Sequence, residues 1–126
     1  MKAGQHRDRA ERIERSLAKL TAADSEAMID ACMLASSQWI NFGLHALGVS
    51  ADEDDFIHPF MLDGHQRHAL EHALGAEVMR ASDAIEGYRP FFVRGNDPGG
   101  AHAARRALEL LETVRERVKA AVDGAE

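Results

Sequence analysis

Apolar residues recur every three or four positions in four separate segments of the chain, and this spacing predicts four α-helices. The first helix is expected over about residues 5–20 and the second over about 25–47. The third is expected from just after residue 59 to about 86, and the fourth over about 101–122. The second segment is the most apolar, so it is expected to lie at the centre of the fold.

Glycine and proline mark the predicted ends of these helices. Gly48 is expected to end the second helix, and Gly87 to cap the C-terminal end of the third. Pro90 is expected to prevent the third helix from continuing. The chain is therefore predicted to form a single all-α domain over residues 1–126, an up-and-down antiparallel four-helix bundle.

Composition narrows the classes of function. The net charge of −6 argues against binding to duplex DNA, which requires a basic face. A single cysteine, Cys32, excludes an intramolecular disulfide, and its apolar neighbours predict a small buried side chain rather than a nucleophile. The chain has neither the apolar run of a secretion signal nor a segment long enough to span a bilayer. A cytoplasmic protein without membrane contact is therefore expected.

Histidine is concentrated in one stretch, because four of the seven histidines lie within residues 58–72. His65, His68 and His72 share one face of the predicted third helix, since residues three and four positions apart are neighbours on a helix. Imidazoles spaced in this way project side by side and can bind zinc or another divalent metal ion. One hypothesis is therefore a metal-binding bundle enzyme or sensor that uses this His-x2-His-x3-His face.

The alternative to a metal site is that these histidines lie at the protein surface. The apolar stripe of the same helix points about 150° away from them, so they are alternatively expected to face solvent or a second subunit. His45 could complete a site across helices, and is otherwise expected to be a hydrogen-bonded residue at the rim of the core. His6 and His102, near helix starts, are expected to be exposed. The acidic run at residues 52–55 lacks the spacing and glycine of a calcium loop, which predicts a solvated turn.

Arginine clusters around the predicted start of the fourth helix. The cluster consists of Arg89, Arg94, Arg105 and Arg106. Such a group could bind an anion or an RNA phosphate through charge-assisted hydrogen bonds. The alternative is that these are solvated charges that pair with nearby acidic residues.

The order of these features resembles a known superfamily. A long helix rich in small residues ends in INFGLHALGV, a loop with a histidine follows in FIHPF, and the next helix leads into EGYRPFFVRGN before a final amphipathic helix. This pattern covers nearly the whole chain and is similar to the HEPN domain, the higher-eukaryote-and-prokaryote nucleotide-binding superfamily. The resemblance implies an up-and-down bundle that forms a homodimer and binds a nucleotide, RNA or a partner protein.

Active ribonucleases of this superfamily carry an Arg-x4-6-His motif near the last helix. The matching arginine would be Arg89 or Arg94, and no histidine follows either at that spacing. Arg67 and His72 have the spacing, but five residues along a regular helix rotate by about 140° and direct the two side chains apart. The resemblance therefore implies a non-catalytic binding module with Arg89 and Arg94 as ligand-binding residues, and no cofactor apart from the divalent metal of the histidine hypothesis.

Overall fold

The computed structural model describes residues 1–125 as an all-α fold with five α-helices and no strand among those residues. Helix α1 spans Ala3–Leu17, α2 Ser25–Ala46, α3 Gly64–Leu74, α4 Ala76–Phe92 and α5 Gly100–Gly124. Short 3-10 turns at Ala22–Asp24 and Pro59–Met61 precede α2 and α3. The prediction of an all-α fold is confirmed. None of the described helices is long and apolar enough to cross a membrane.

Helix α2 is the central element, as predicted, because it packs against each of the other four helices. Most of its residues between Met28 and His45 are buried. Gly43 allows this close approach, since a Cβ atom there would lie only 2.9 Å from Val118 Cγ1 and 3.0 Å from Leu74 Cδ2. Cys32 is fully buried, as the sequence predicted, and this burial raises the pKa of its thiol to about 12.

The predicted third helix is two helices, α3 and α4, which meet at Gly75. Gly75 has φ 101° and ψ 147°. Residues with a Cβ atom rarely adopt this backbone conformation, and it interrupts the helix. Periodicity does not reveal this break, because Leu74 and Val78 continue the apolar spacing on either side and both are buried. The described chain therefore has five helices where the sequence predicted four.

The predicted end of the third helix is also wrong. Helix α4 continues through Gly87 and Pro90 and ends at Phe92. Gly87 has no positive φ, so it is an ordinary helical residue and not a cap. Pro90 lies in the last turn, where the missing N–H removes a single hydrogen bond, and the rings of Tyr88 and Phe92 pack edge to face 6.1 Å apart beside the core. Packing against the core thus extends the helix beyond its sequence signals.

Candidate functional site

The loop between α2 and α3 is held against α2 by a row of buried polar side chains. Ser37 donates a hydrogen bond to the carbonyl oxygen of Ile57. Asn41 donates to the carbonyl oxygen of Phe56 at 2.8 Å and accepts from the Phe56 N–H at 3.3 Å. His45 follows one turn later on the same face of the helix. These polar residues interrupt an apolar helix because they satisfy the backbone of the loop that covers it.

At the end of this row, His45 meets His6 from α1 and Asp55 from the loop. The Nε2 atoms of His6 and His45 lie 2.8 Å and 2.7 Å from Asp55 Oδ1. The two imidazole side chains are 2% and 0% exposed, whereas the Asp55 carboxylate is 34% exposed and opens the cluster to solvent. The three atoms lie within 4.8 Å of one another, so the residues form a group that could hold a metal ion.

The second nitrogen of each imidazole faces an oxygen. His6 Nδ1 lies 2.6 Å from Gln38 Oε1, with the Gln38 amide oriented in this way. His45 Nδ1 lies 2.8 Å from the hydroxyl oxygen of Ser50 and 3.2 Å from its carbonyl oxygen. Burial raises the pKa of Asp55, but the hydrogen bonds from His45, His6 and the amino group of Met1 together outweigh burial and lower this pKa to about 2. The carboxylate is therefore ionised at neutral pH.

Two members of this cluster lie in environments that the sequence did not predict, and the third lies where it was predicted. The expectation that His6 is exposed is wrong, because α1 packs on α2 and turns His6 toward Gln38. The acidic run is not simply a solvated turn, since Asp55 accepts hydrogen bonds from both histidines. His45 is confirmed as a hydrogen-bonded residue at the rim of the core. The signal that could have found the row was the four-residue spacing of polar side chains in an apolar helix.

The histidines that the sequence suggested as metal ligands are all exposed on α3. They are His65, His68 and His72. Within the described part of the chain, the group of three whose ligand atoms lie within 4.8 Å is the one around Asp55 and not this stripe. Metal binding by the exposed stripe stays a prediction that would require its side chains to rearrange. Arg67, the partner of His72 in the ribonuclease hypothesis, forms an ion pair with Asp83 of α4.

The arginines predicted to bind a ligand lie in different environments. The side chain of Arg89 is 18% exposed, and its guanidinium donates to Asp30 on α2 at 2.8 Å and to Glu86 on α4 at 3.1 Å. The hydrogen bond to Asp30 holds the pKa of Arg89 above its ordinary value. Arg94 follows the end of α4 and is exposed. Arg89 is thus already paired with carboxylates of the same chain, whereas Arg94 is exposed at the surface.

Glu86 extends this ion-pair network toward exposed apolar side chains. His58 Nδ1 lies 3.1 Å from Glu86 Oε1, and the His58 ring stacks on Phe60 with centroids 5.0 Å apart and planes inclined by 9°. Phe60 is 70% exposed, and Ile57, Met61 and Leu34 are also exposed. We call this surface the Phe60 face. It comprises Asp30, Leu34, Ile57, His58, Phe60, Met61, Glu86 and Arg89.

Comparison of the chain with models of known protein families, with curated proteins and with solved structures gave no match. The function is therefore inferred from the geometry of two places, the Phe60 face and the cluster of His6, His45 and Asp55. They differ in kind. The Phe60 face presents apolar side chains around charges that are already paired, whereas the cluster buries two imidazoles behind a partly exposed carboxylate.

Proposed function

We propose that this protein is a small cytoplasmic HEPN-like helical module without catalytic activity, and that it binds a second copy of itself through the Phe60 face. The observation that carries the proposal is the exposure of Ile57, Phe60 and Met61 in one loop, with Phe60 stacked on His58, which pairs with Glu86. Phe60 alone is 70% exposed. Removing apolar surface from water is the main driving force for protein association, and clustered exposed apolar side chains mark interaction surfaces.

The charges on the Phe60 face favour a protein partner over a nucleotide or RNA. Arg89 is the residue that would contact a phosphate, but Asp30 and Glu86 already accept its hydrogen bonds. A phosphate would have to displace two carboxylates, and the net charge of −6 repels a polyanion. A protein surface requires no such exchange, because it can cover the apolar side chains and leave the ion pairs intact.

A second copy of the chain is the partner that symmetry and the resemblance favour. Most soluble oligomers are homo-oligomers, and two-fold dimers are the most common among them. Aromatic residues and methionine are enriched at the centres of such interfaces, and Phe60 and Met61 have this character. Burying the exposed part of Phe60 would contribute roughly 1–2 kcal/mol in each copy. Both copies together would contribute roughly 2–4 kcal/mol, or about 30- to 1,000-fold in the dissociation constant.

We also propose that the helices form an up-and-down bundle in which α4 takes the third position and α3 folds back against it, since Arg67 and Asp83, each eight residues from Gly75, form an ion pair. Contacts along neighbouring helices support opposite directions for α1 and α2, and for α2 and α4, whose first residue follows Leu74 by two positions. The contacts are His6 with His45, Glu14 with Trp39, Gly43 with Leu74, and Asp30 with Arg89. In this arrangement the Phe60 face spans α2, the loop and α4 on one side of the bundle.

Sedimentation equilibrium over a range of concentrations tests the proposed dimer. The wild-type protein is expected to show a monomer–dimer equilibrium, and Phe60→Asp to weaken it by at least the factor above. Leu108→Asp is the matched control, because Leu108 is also a partly exposed apolar residue but lies on α5 outside the Phe60 face. A monomeric wild-type mass at every concentration, or equal weakening by both substitutions, would overturn the proposal. Circular dichroism of each variant verifies that it is folded.

A further inference from the structure

We propose that His6, His45 and Asp55 form a binding site for a divalent transition-metal ion of the zinc type, separate from the Phe60 face. Two imidazole nitrogens and one carboxylate oxygen converge within 4.8 Å. Nitrogen ligands combined with a carboxylate suit zinc, cobalt, nickel or copper, whereas magnesium and calcium prefer oxygen ligands alone. The ligands come from α1, the end of α2 and the loop, so a bound ion would join three segments of the chain.

The partners of the outer imidazole nitrogens support this assignment. A histidine that ligates a metal usually donates its other N–H to an oxygen, which fixes the tautomer and the orientation of the ring. His6 Nδ1 faces Gln38 Oε1 at 2.6 Å, and His45 Nδ1 faces two oxygens of Ser50. Without metal, the Nε2–H groups donate to Asp55. Metal binding would release these protons, and with each Nδ1–H donating to its outer partner, both Nε2 lone pairs would be directed at the ion. Three electron-rich atoms then converge, which is the arrangement that a cation stabilises.

The distances from Asp55 require its carboxylate to move. Ligands about 2.0–2.2 Å from a tetrahedral zinc ion lie about 3.3–3.6 Å from one another. The present separations of Asp55 Oδ1 from His6 and His45 Nε2 are 2.8 Å and 2.7 Å, so these separations would increase by roughly 0.5–0.9 Å. Asp55 lies on a loop and is partly exposed, whereas the imidazoles are held by buried partners.

Isothermal titration calorimetry of the untagged protein, first freed of metal with a chelator, measures the binding directly. Zinc is expected to bind with a stoichiometry of one ion per chain, and magnesium is expected not to bind. Cobalt bound at the same site is expected to show the intense visible absorption of a tetrahedral or five-coordinate ion. Folded wild-type protein that binds neither zinc nor cobalt would overturn the proposal and leave the cluster as a hydrogen-bonded link between α1 and the loop.

Conservative variants identify the ligands. His6→Gln and Asp55→Asn keep hydrogen-bonding groups in place but remove a zinc ligand, and each is expected to weaken zinc binding by more than about 100-fold. The matched control is the triple variant His65→Gln, His68→Gln and His72→Gln, which removes the exposed histidine stripe and is expected to bind zinc as the wild type does. Zinc binding that is lost in the triple variant but retained in both ligand variants would overturn the proposal.

A substitution at Gln38, which is not a proposed ligand, helps to distinguish loss of a ligand from unfolding of the variant. Gln38→Leu removes the oxygen that faces His6 Nδ1 and is expected to weaken zinc binding by about 10- to 100-fold while the cobalt spectrum is preserved. Each variant is compared with the wild type by circular dichroism without metal. Unchanged zinc affinity in folded His6→Gln and Asp55→Asn proteins would also contradict the assignment. These outcomes do not depend on the mass of the protein, so the site and the dimer are tested separately.

Discussion

Replacing Gly87 with alanine is expected to stabilise the protein, because Gly87 lies inside α4 and not at its end. Nothing lies within 4 Å of a Cβ atom built at this position, and its φ is not positive. Alanine can therefore adopt the same backbone conformation without a clash. The gain comes from the unfolded chain, which loses conformational freedom when glycine is replaced.

The expected magnitude follows from helix propensity. Alanine is favoured over glycine inside a helix by about 0.8–1.0 kcal/mol. An unfolding entropy of about 2.1 cal/mol/K per residue converts this gain into a rise in the melting temperature of roughly 3–4 °C for a chain of 126 residues. Urea unfolding followed by the helical circular dichroism signal should give the same gain in the free energy of unfolding at about 25 °C.

Gly75→Ala is the matched substitution at the true break between α3 and α4. A Cβ atom there also has open space around it, but the φ of 101° is strained for alanine. This variant is expected to be less stable than the wild type by about 1–3 kcal/mol. The reasoning would be refuted if Gly87→Ala lowered the stability, since Gly87 would then be the helix cap that the sequence suggested. It would equally be refuted if Gly75→Ala raised the stability.

Three further substitutions or conditions test the core and the loop. Gly43→Ala is expected to destabilise the protein by about 1–3 kcal/mol in urea unfolding, because its Cβ would lie 2.9 Å from Val118 Cγ1. Asn41→Leu is expected to cost about 2–4 kcal/mol by the same measurement, because it leaves the N–H and carbonyl of Phe56 without their partner; a loss below about 0.5 kcal/mol would contradict the role given to this residue. Since the pKa of Asp55 is lowered from 3.8 to about 2, its contribution to stability is expected to be complete above about pH 4 and to be lost as the pH falls to about 2. Unfolding curves across this range test that sign, and Asp55→Asn should show a weaker pH dependence there than the wild type.

Hydrophobic periodicity predicted the helical class and the central position of α2, because a buried helix face imposes that spacing on the sequence. The same periodicity could not predict the break at Gly75, since α3 and α4 both turn their apolar residues toward the same core. Nor could it predict that α4 passes Pro90. The signals of Gly87 and Pro90 are local, whereas the packing of Tyr88 and Phe92 beside the core depends on the whole fold.

The candidate sites depend on tertiary proximity, and this limited what the sequence could show. The three histidines on α3 stood out because they are close in sequence, yet they are exposed. His6 and Asp55 are 49 residues apart and come together only because α1 and the loop pack on the same end of α2. Arg89 was predicted as a ligand-binding residue, and only the structure shows that Asp30 and Glu86 engage its charge.

Amide hydrogen exchange at two protein concentrations, one below and one above the dissociation constant, tests the proposed binding surface most directly. The informative amides are those of Ile57, His58, Phe60 and Met61, which lie in the loop and the short turn at the Phe60 face, since Pro59 has no N–H. Slower exchange of these amides at the higher concentration, with unchanged exchange in α1, is the result that we predict. Equal exchange of residues 57–61 at both concentrations, in a sample that sedimentation shows to be dimeric at the higher one, would contradict the assignment of the interface to the Phe60 face.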